Sequence, residues 1–141
     1  MKKIVAAALM VALTAPGHAH AAPVESRCPQ WYKLAREVGF TRADWPRLDA
    51  ILYRESRCAP GAKHFNKRAD GTVWSTDFGL SQINNYSWVT YLRNLGIIKT
   101  SEDLLHPRTN LRAAKALYDY SKSRGLDPWF QWRGTGSGVQ S

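Results

Sequence analysis

Cysteine is scarce in this sequence: Cys28 and Cys58 are the only two in 141 residues. Two thiols exclude a disulfide-dense miniature scaffold. The only long apolar run is Ile4 to Leu13, ten residues. Ten are too few to span a bilayer, and no second run follows, so no membrane anchor is expected. Acidic residues are in deficit, 11 against 20 Lys and Arg. A basic chain favours anionic partners, but no basic cluster is interleaved with aromatics as a nucleic-acid module requires. A glycine-rich phosphate loop is missing. His64 and His106 are isolated, so no metal or other cofactor is expected. Internal repeats are absent.

The two ends read as processing and tail segments. Met1-Lys2-Lys3, the apolar run, the break at Thr14-Ala15-Pro16-Gly17 and Ala19-His20-Ala21 together form a secretory signal over residues 1–21. The mature protein is therefore expected to be soluble and outside the cytoplasm, secreted or periplasmic. Losing Lys2 and Lys3 lowers the charge from +9 to +7. One folded domain is expected over 22–132, followed by a flexible Gly/Ser-rich tail over 133–141. In an exported chain the two cysteines suggest one disulfide, contributing about 2–4 kcal/mol. Monomer is the default.

Between the ends, helical and hairpin signals alternate. Pro29 to Val38 predicts a short helix stopped by Gly39, with Trp31, Leu34, Ala35 and Val38 on one face. Asp44 predicts the cap of the next helix, with Pro46 in its first turn. In that helix Leu48, Ile51, Leu52 and Glu55 share a stripe at offsets 0, 3, 4 and 7. Asp70-Gly71 followed by Thr72-Val73-Trp74 predicts a hairpin, with two or three short strands between about 65 and 76 and Asp77 at their exit. Residues 79–84 predict a tight turn or one helical turn. Tyr86 to Leu95 predicts a helix stopped by Gly96, with Trp88, Tyr91, Leu92 and Leu95 facing the core. Thr100 to Asp103 resembles a capping box, and Pro107 ends that short helix. Thr109 or Asn110 then caps a helix through Ser123, with Leu111, Ala114, Leu117, Tyr118 and Ser121 inward.

Two carboxylates stand out. Glu55 continues an apolar stripe, where a carboxylate is costly to ionise, so it is expected to stay protonated near neutral pH. The competing reading is an ion pair with a nearby arginine such as Arg57. Asp77 precedes a turn rich in amide side chains. Two carboxylates in different settings can serve as acid and counter-charge on a glycosidic bond. Gln82 and Asn84 each carry a donor and an acceptor suited to acetamido and hydroxyl groups. Trp129 and Trp132 could form a sugar-stacking rim or a lid on the core.

Glu55-Ser56, the loop with Asn66 and Asp70-Gly71, and Asp77-Phe78-Gly79-Leu80-Ser81-Gln82-Ile83-Asn84 together resemble the lysozyme-like superfamily. The resemblance is to domains of the soluble-lytic-transglycosylase (SLT) type, and it spans roughly Trp31 to Trp129. The Ser75-Thr76-Asp77-aromatic-Gly79 start and the Gln82-Ile83-Asn84 end are also similar to animal-type lysozymes. The resemblance implies an α+β, mainly α, two-lobed fold with a small β-hairpin wing and a cleft between lobes. It implies peptidoglycan as substrate, cut at the β-1,4 bond between N-acetylmuramic acid (MurNAc) and N-acetylglucosamine (GlcNAc). On it, Glu55 matches the catalytic acid, Gln82 a sugar-binding position and Ser56 a residue supporting the glutamate. The late Ala-Tyr-Asn-Ala-Gly stretch of many transglycosylases is absent; Tyr118 or Tyr120 is left to replace its tyrosine. Asp77 stands where many transglycosylases lack a second acid. Three readings follow: a lytic transglycosylase, a hydrolytic muramidase using Glu55 and Asp77, and a non-catalytic glycan binder.

Overall fold

The computed structural model describes residues 22–23 and 25–134; the expected signal segment and all but the first two residues of the expected tail lie outside them. Pro29–Trp31 form a 3-10 turn that runs into α1, Tyr32–Glu37, so the single helix expected there is split. The buried positions are Tyr32 and Ala35, not the whole expected stripe. Tyr32 packs edge-on against Trp45 at 5.1 Å, while Trp31, Leu34 and Val38 pack against the core only partly buried. α2 is Trp45–Ser56, with Pro46 in its first turn, and it buries Trp45, Leu48, Ile51 and Leu52. It ends at Arg57 in the left-handed conformation. Just beyond, Cys58 is bonded to Cys28 with Cα atoms 5.5 Å apart. Asp49 adds a second tie to the same N-terminal segment, accepting from Ser26 Oγ and from the Arg27 and Cys28 amides at 2.7–2.8 Å.

The sheet has three strands, within the two or three expected, and extends beyond residues 65–76 at both ends. β1, Lys63–Lys67, pairs antiparallel with β2, Val73–Phe78, and β2 with β3, Ile83–Asn84. The turn forms at Asp70-Gly71 as predicted, with Gly71 at φ 84° and Asp70 accepting from Thr72. Asp77 therefore lies inside a strand, opposite His64 on one side and Asn84 on the other. Local pattern hid this because β3 has only two residues and takes its partner from across a turn.

α3, Asn85–Asn94, starts where the Asn84 side chain accepts from the Ser87 amide at 3.0 Å. Only Leu92 of its expected core face is buried, and Leu95 is exposed. The Thr100–Asp103 capping box is present and opens a 3-10 turn, Ser101–Leu105. α4, Pro107–Ser123, begins three or four residues earlier than expected because Pro107 opens the helix. Asn110 is thus an interior residue, not a cap. It is fully buried, accepts from the Ser81 amide and hydroxyl, and donates to the carbonyls of Phe78 and Leu104. All four bonding sites of one amide are used, which ties the β2–β3 turn to the central helix. Leu111, Ala113, Ala114 and Leu117 complete the α4 core face.

Tyr118 belongs to a different contact. Its hydroxyl donates to Asp44 Oδ1 at 2.9 Å, and its ring meets Phe40 and Trp129 edge-on. Burial, then the bond to Asp44, push the phenol up to about 12 from 10.0. Burial also pushes Asp44 up, but the bonds from the Thr41 hydroxyl and amide and from Tyr118 outweigh it and leave Asp44 below its ordinary value. A raised folded-state pKa means that the phenol's contribution is complete below about pH 10 and lost as pH rises toward about 12. Tyr118→Phe should therefore unfold about 1–2 kcal/mol more easily at pH 8. Its deficit against the parent should shrink above pH 10, as read by urea unfolding at a series of pH values. A deficit constant across that range would contradict the assignment.

Candidate functional site

Glu55, at the last turn of α2, lines a cavity of about 500 Å³. The sheet supplies the opposite wall. His64, Asn66, Ser75 and Asp77 share one face of β1 and β2 because side chains alternate along a strand. His64, Asn66 and Asp77 line the cavity, and Gln82 and Asn84 join them from the turn and β3. Trp88 of α3 and Trp132 of the C-terminal 3-10 turn Phe130–Trp132 bound it further.

The Asp77 carboxylate is clamped. Asn84 donates to Oδ1 at 2.7 Å and Asn66 to Oδ2 at 3.0 Å. The same two amides also reach the Ser75 hydroxyl, at 3.0 and 3.1 Å. Asn84 thus caps α3 with its oxygen and holds Asp77 with its nitrogen. Gln82 sits at φ 49° and donates to the carbonyls of Gly79 and Ala62, at 2.8 and 3.2 Å. It therefore shapes the turn as well as facing the cavity.

Glu55 differs from the expectation. Its side chain is largely buried, but a guanidinium meets it: Arg54 donates from Nε and Nη2 to Oε1, at 2.9 and 2.7 Å. Arg57, the expected pairing partner, stacks over the Tyr53 ring instead, 4.5 Å from its centroid. Arg54 also donates to the Trp132 carbonyl at 2.8 Å, so it bridges α2 to the C-terminal turn. The left-handed break at Arg57 turns that side chain off the helix, whereas Arg54 is still helical and folds back along the cavity rim.

Three expected contact residues fall outside this cavity. Ser56 is buried and its hydroxyl donates to the Leu52 carbonyl at 3.0 Å within its own helix. Tyr118 faces Asp44. Trp129 is buried, stacked on Phe40 with centroids 5.8 Å apart. Two residues along a helix are about 200° apart. Tyr120 consequently packs on the other side, edge-on to Trp88 at 5.6 Å and Tyr91 at 5.2 Å. Trp132, which the sequence leaves open between a sugar-stacking rim and a lid on the core, lines the cavity, whereas His64, Asn66, Trp88 and Arg54 are not singled out as contact residues by the sequence. For His64 and Asn66 the usable signal was the two-residue alternation that puts them on the face of Asp77. Among the described residues no group of three or more His, Cys, Asp or Glu could hold a metal ion, and no helix is long and apolar enough to cross a membrane.

A helical body, a small antiparallel wing and a cleft holding a glutamate opposite an amide-clamped aspartate define a lysozyme-like domain. A family model described as "Lysozyme like domain" matches residues 32–132, and the chain belongs to that family. Among its relatives is Lysozyme-like protein 6 of Homo sapiens, 32% identical over 101 residues, 67% of this chain. The match spans 61% of that human protein's length. The crystal structure of a lysozyme from Litopenaeus vannamei shares the fold, with a TM-score of 0.58 and 24% identity over 82% of this chain and 87% of that one.

Proposed function

We propose that this chain is an exported, peptidoglycan-cleaving glycosidase acting on the β-1,4 bond between MurNAc and GlcNAc. The observation that carries the reading is that Glu55 and Asp77 line one cavity from opposite walls, α2 and the sheet. The Glu55 carboxyl gives its proton to the glycosidic oxygen as the C1–O bond breaks, leaving an oxocarbenium-like sugar. For this, substrate must first move Arg54 off the carboxylate, which then takes up a proton from solvent before it can give one to the glycosidic oxygen. Asp77, held by Asn66 and Asn84, supplies negative charge to the developing cation. In the transglycosylase ending, the muramic C6 hydroxyl attacks C1 and returns its proton to Glu55. The product is an anhydro sugar and no water is consumed.

A hydrolytic muramidase is the second reading, favoured by the presence of Asp77 in the cleft. There water attacks and the product keeps a reducing end. Mass spectrometry of digested sacculi tests both. Anhydro-muramic ends support the first ending, and reducing muramic ends throughout eliminate it. Sacculi left intact would eliminate cleavage and leave a glycan binder.

A further inference from the structure

A second hollow of about 210 Å³ adjoins the cleft and shares Arg54 and Trp132 with it. Arg47, Arg54 and Arg133 line it, over a floor that includes Ile51, Trp129 and Trp132. Arg47 lies over the Trp129 ring, 6.0 Å from its centroid. Two carboxylates balance these three guanidiniums in part. Asp127 Oδ2 meets Arg133 at 2.7 Å and Arg47 at 3.7 Å, and Glu55 holds Arg54. Planar guanidiniums over an apolar floor suit a planar carboxylate, which they can grip through paired N–H bonds. The hollow has room for an acidic side group, and it opens beside the cavity assigned to the glycan.

We propose that this hollow is a subsite for a carboxylate of the substrate, gripped by Arg47, Arg54 and Arg133. The proposal rests on the glycosidase reading only for the origin of that carboxylate. In peptidoglycan it can come from the lactyl group of muramic acid or from the stem peptide. Arg54 stands between the two cavities, so a carboxylate in the hollow competes with Glu55 for it. Binding of an acidic strand would then help to free the acid that must give up a proton.

Three disaccharides test this, none containing the MurNAc–GlcNAc bond, so none is cut. They are neutral chitobiose, GlcNAc–MurNAc with a free lactyl carboxylate, and GlcNAc–MurNAc carrying a tetrapeptide. Calorimetric titration of the full chain at low salt should show at least one acidic probe binding about tenfold tighter than chitobiose. If the lactyl probe gains, the lactyl group is the source; if only the peptide probe gains, the stem is. The gap should narrow as salt is added. It should fall below about twofold in an Arg47→Ala/Arg133→Ala double variant whose melting temperature is within a few degrees of the parent's. Equal binding of neutral and acidic probes, no binding of either acidic probe at millimolar concentration, or a gap that survives in the double variant would overturn the subsite. If the double variant fails to fold, Arg47→Lys and Arg133→Gln singly must each narrow the gap, or the subsite is overturned. A protein that cuts sacculi but shows no gap loses this inference alone. One that leaves sacculi intact but shows the gap keeps the subsite and loses cleavage.

Discussion

Glu55→Gln should reduce clearing of purified sacculi by roughly 10²–10⁴-fold while leaving the protein folded. The substitution keeps shape and removes one function: an amide cannot hand a proton to the glycosidic oxygen. It also keeps an oxygen where Oε1 accepts from Arg54, at 2.7–2.9 Å in the parent, so that bridge to the Trp132 carbonyl has no reason to break. Turbidity loss of a sacculus suspension measures the rate, and thermal unfolding checks the fold. Co-sedimentation with sacculi should persist, because Gln82, Asn84 and Trp88 are untouched. Clearing within a few-fold of the parent would mean that Glu55 is not the acid. If neither protein clears but both sediment with sacculi, the glycan-binder reading stands.

The largest expected stability effect lies away from the acids, at Gly79. This residue has φ 74°, and a methyl group added there would collide with the Leu104 carbonyl and the Asn110 side-chain amide. Left-handed backbone alone costs an L-residue about 1–2 kcal/mol. The collision also forces open the buried bonds from Asn110 to the carbonyls of Phe78 and Leu104, now 2.9 and 2.8 Å. Each buried polar group left unsatisfied costs about 1–3 kcal/mol. Gly79→Ala should therefore lose more than about 4 kcal/mol, a large part of a domain's total stability. Gly96→Ala is the matched control: φ is 66° there, but nothing lies within 4 Å of the added carbon. It should lose only about 1–2 kcal/mol. Urea unfolding of both variants decides the matter. Similar losses would show that left-handed strain, not the fit against Asn110, is what Gly79 relieves.

This fit explains why the cleft has its shape. Asn110 holds the carbonyl of Phe78, the residue after Asp77, and the amide of Ser81, the residue before Gln82. The turn carrying the sheet side of the cavity is therefore fastened to the interior of α4. A fault at Gly79 or Asn110 should move Asp77 and Gln82 together.

Much of the framework is legible from local chemistry. Pro46 in the first turn of α2, the Asp70-Gly71 turn, the Thr100–Asp103 capping box and the Gly96 stop each act within four residues, so neighbours in the chain suffice to specify them. The Cys28–Cys58 bond follows from having one pair to make. The placement of Glu55 at the edge of an apolar stripe, and of Asp77 before an amide-rich turn, is also written in the order of residues.

Other features came only from packing. Asn110 reads as a cap until Pro107 is seen to open the helix and the β2–β3 turn closes over it. Tyr118 and Tyr120 are equivalent in sequence; the phase of α4 against Phe40 and Trp88 sends them to opposite sides. Arg54 and Arg57 lie one and two residues from Glu55 in the chain; Arg57 takes the left-handed end of α2, and it is Arg54, still in the helix, that meets the carboxyl. Periodicity specifies which residues share a face. Which neighbour that face meets depends on contacts between distant segments, and the wall of the cleft is made of such contacts.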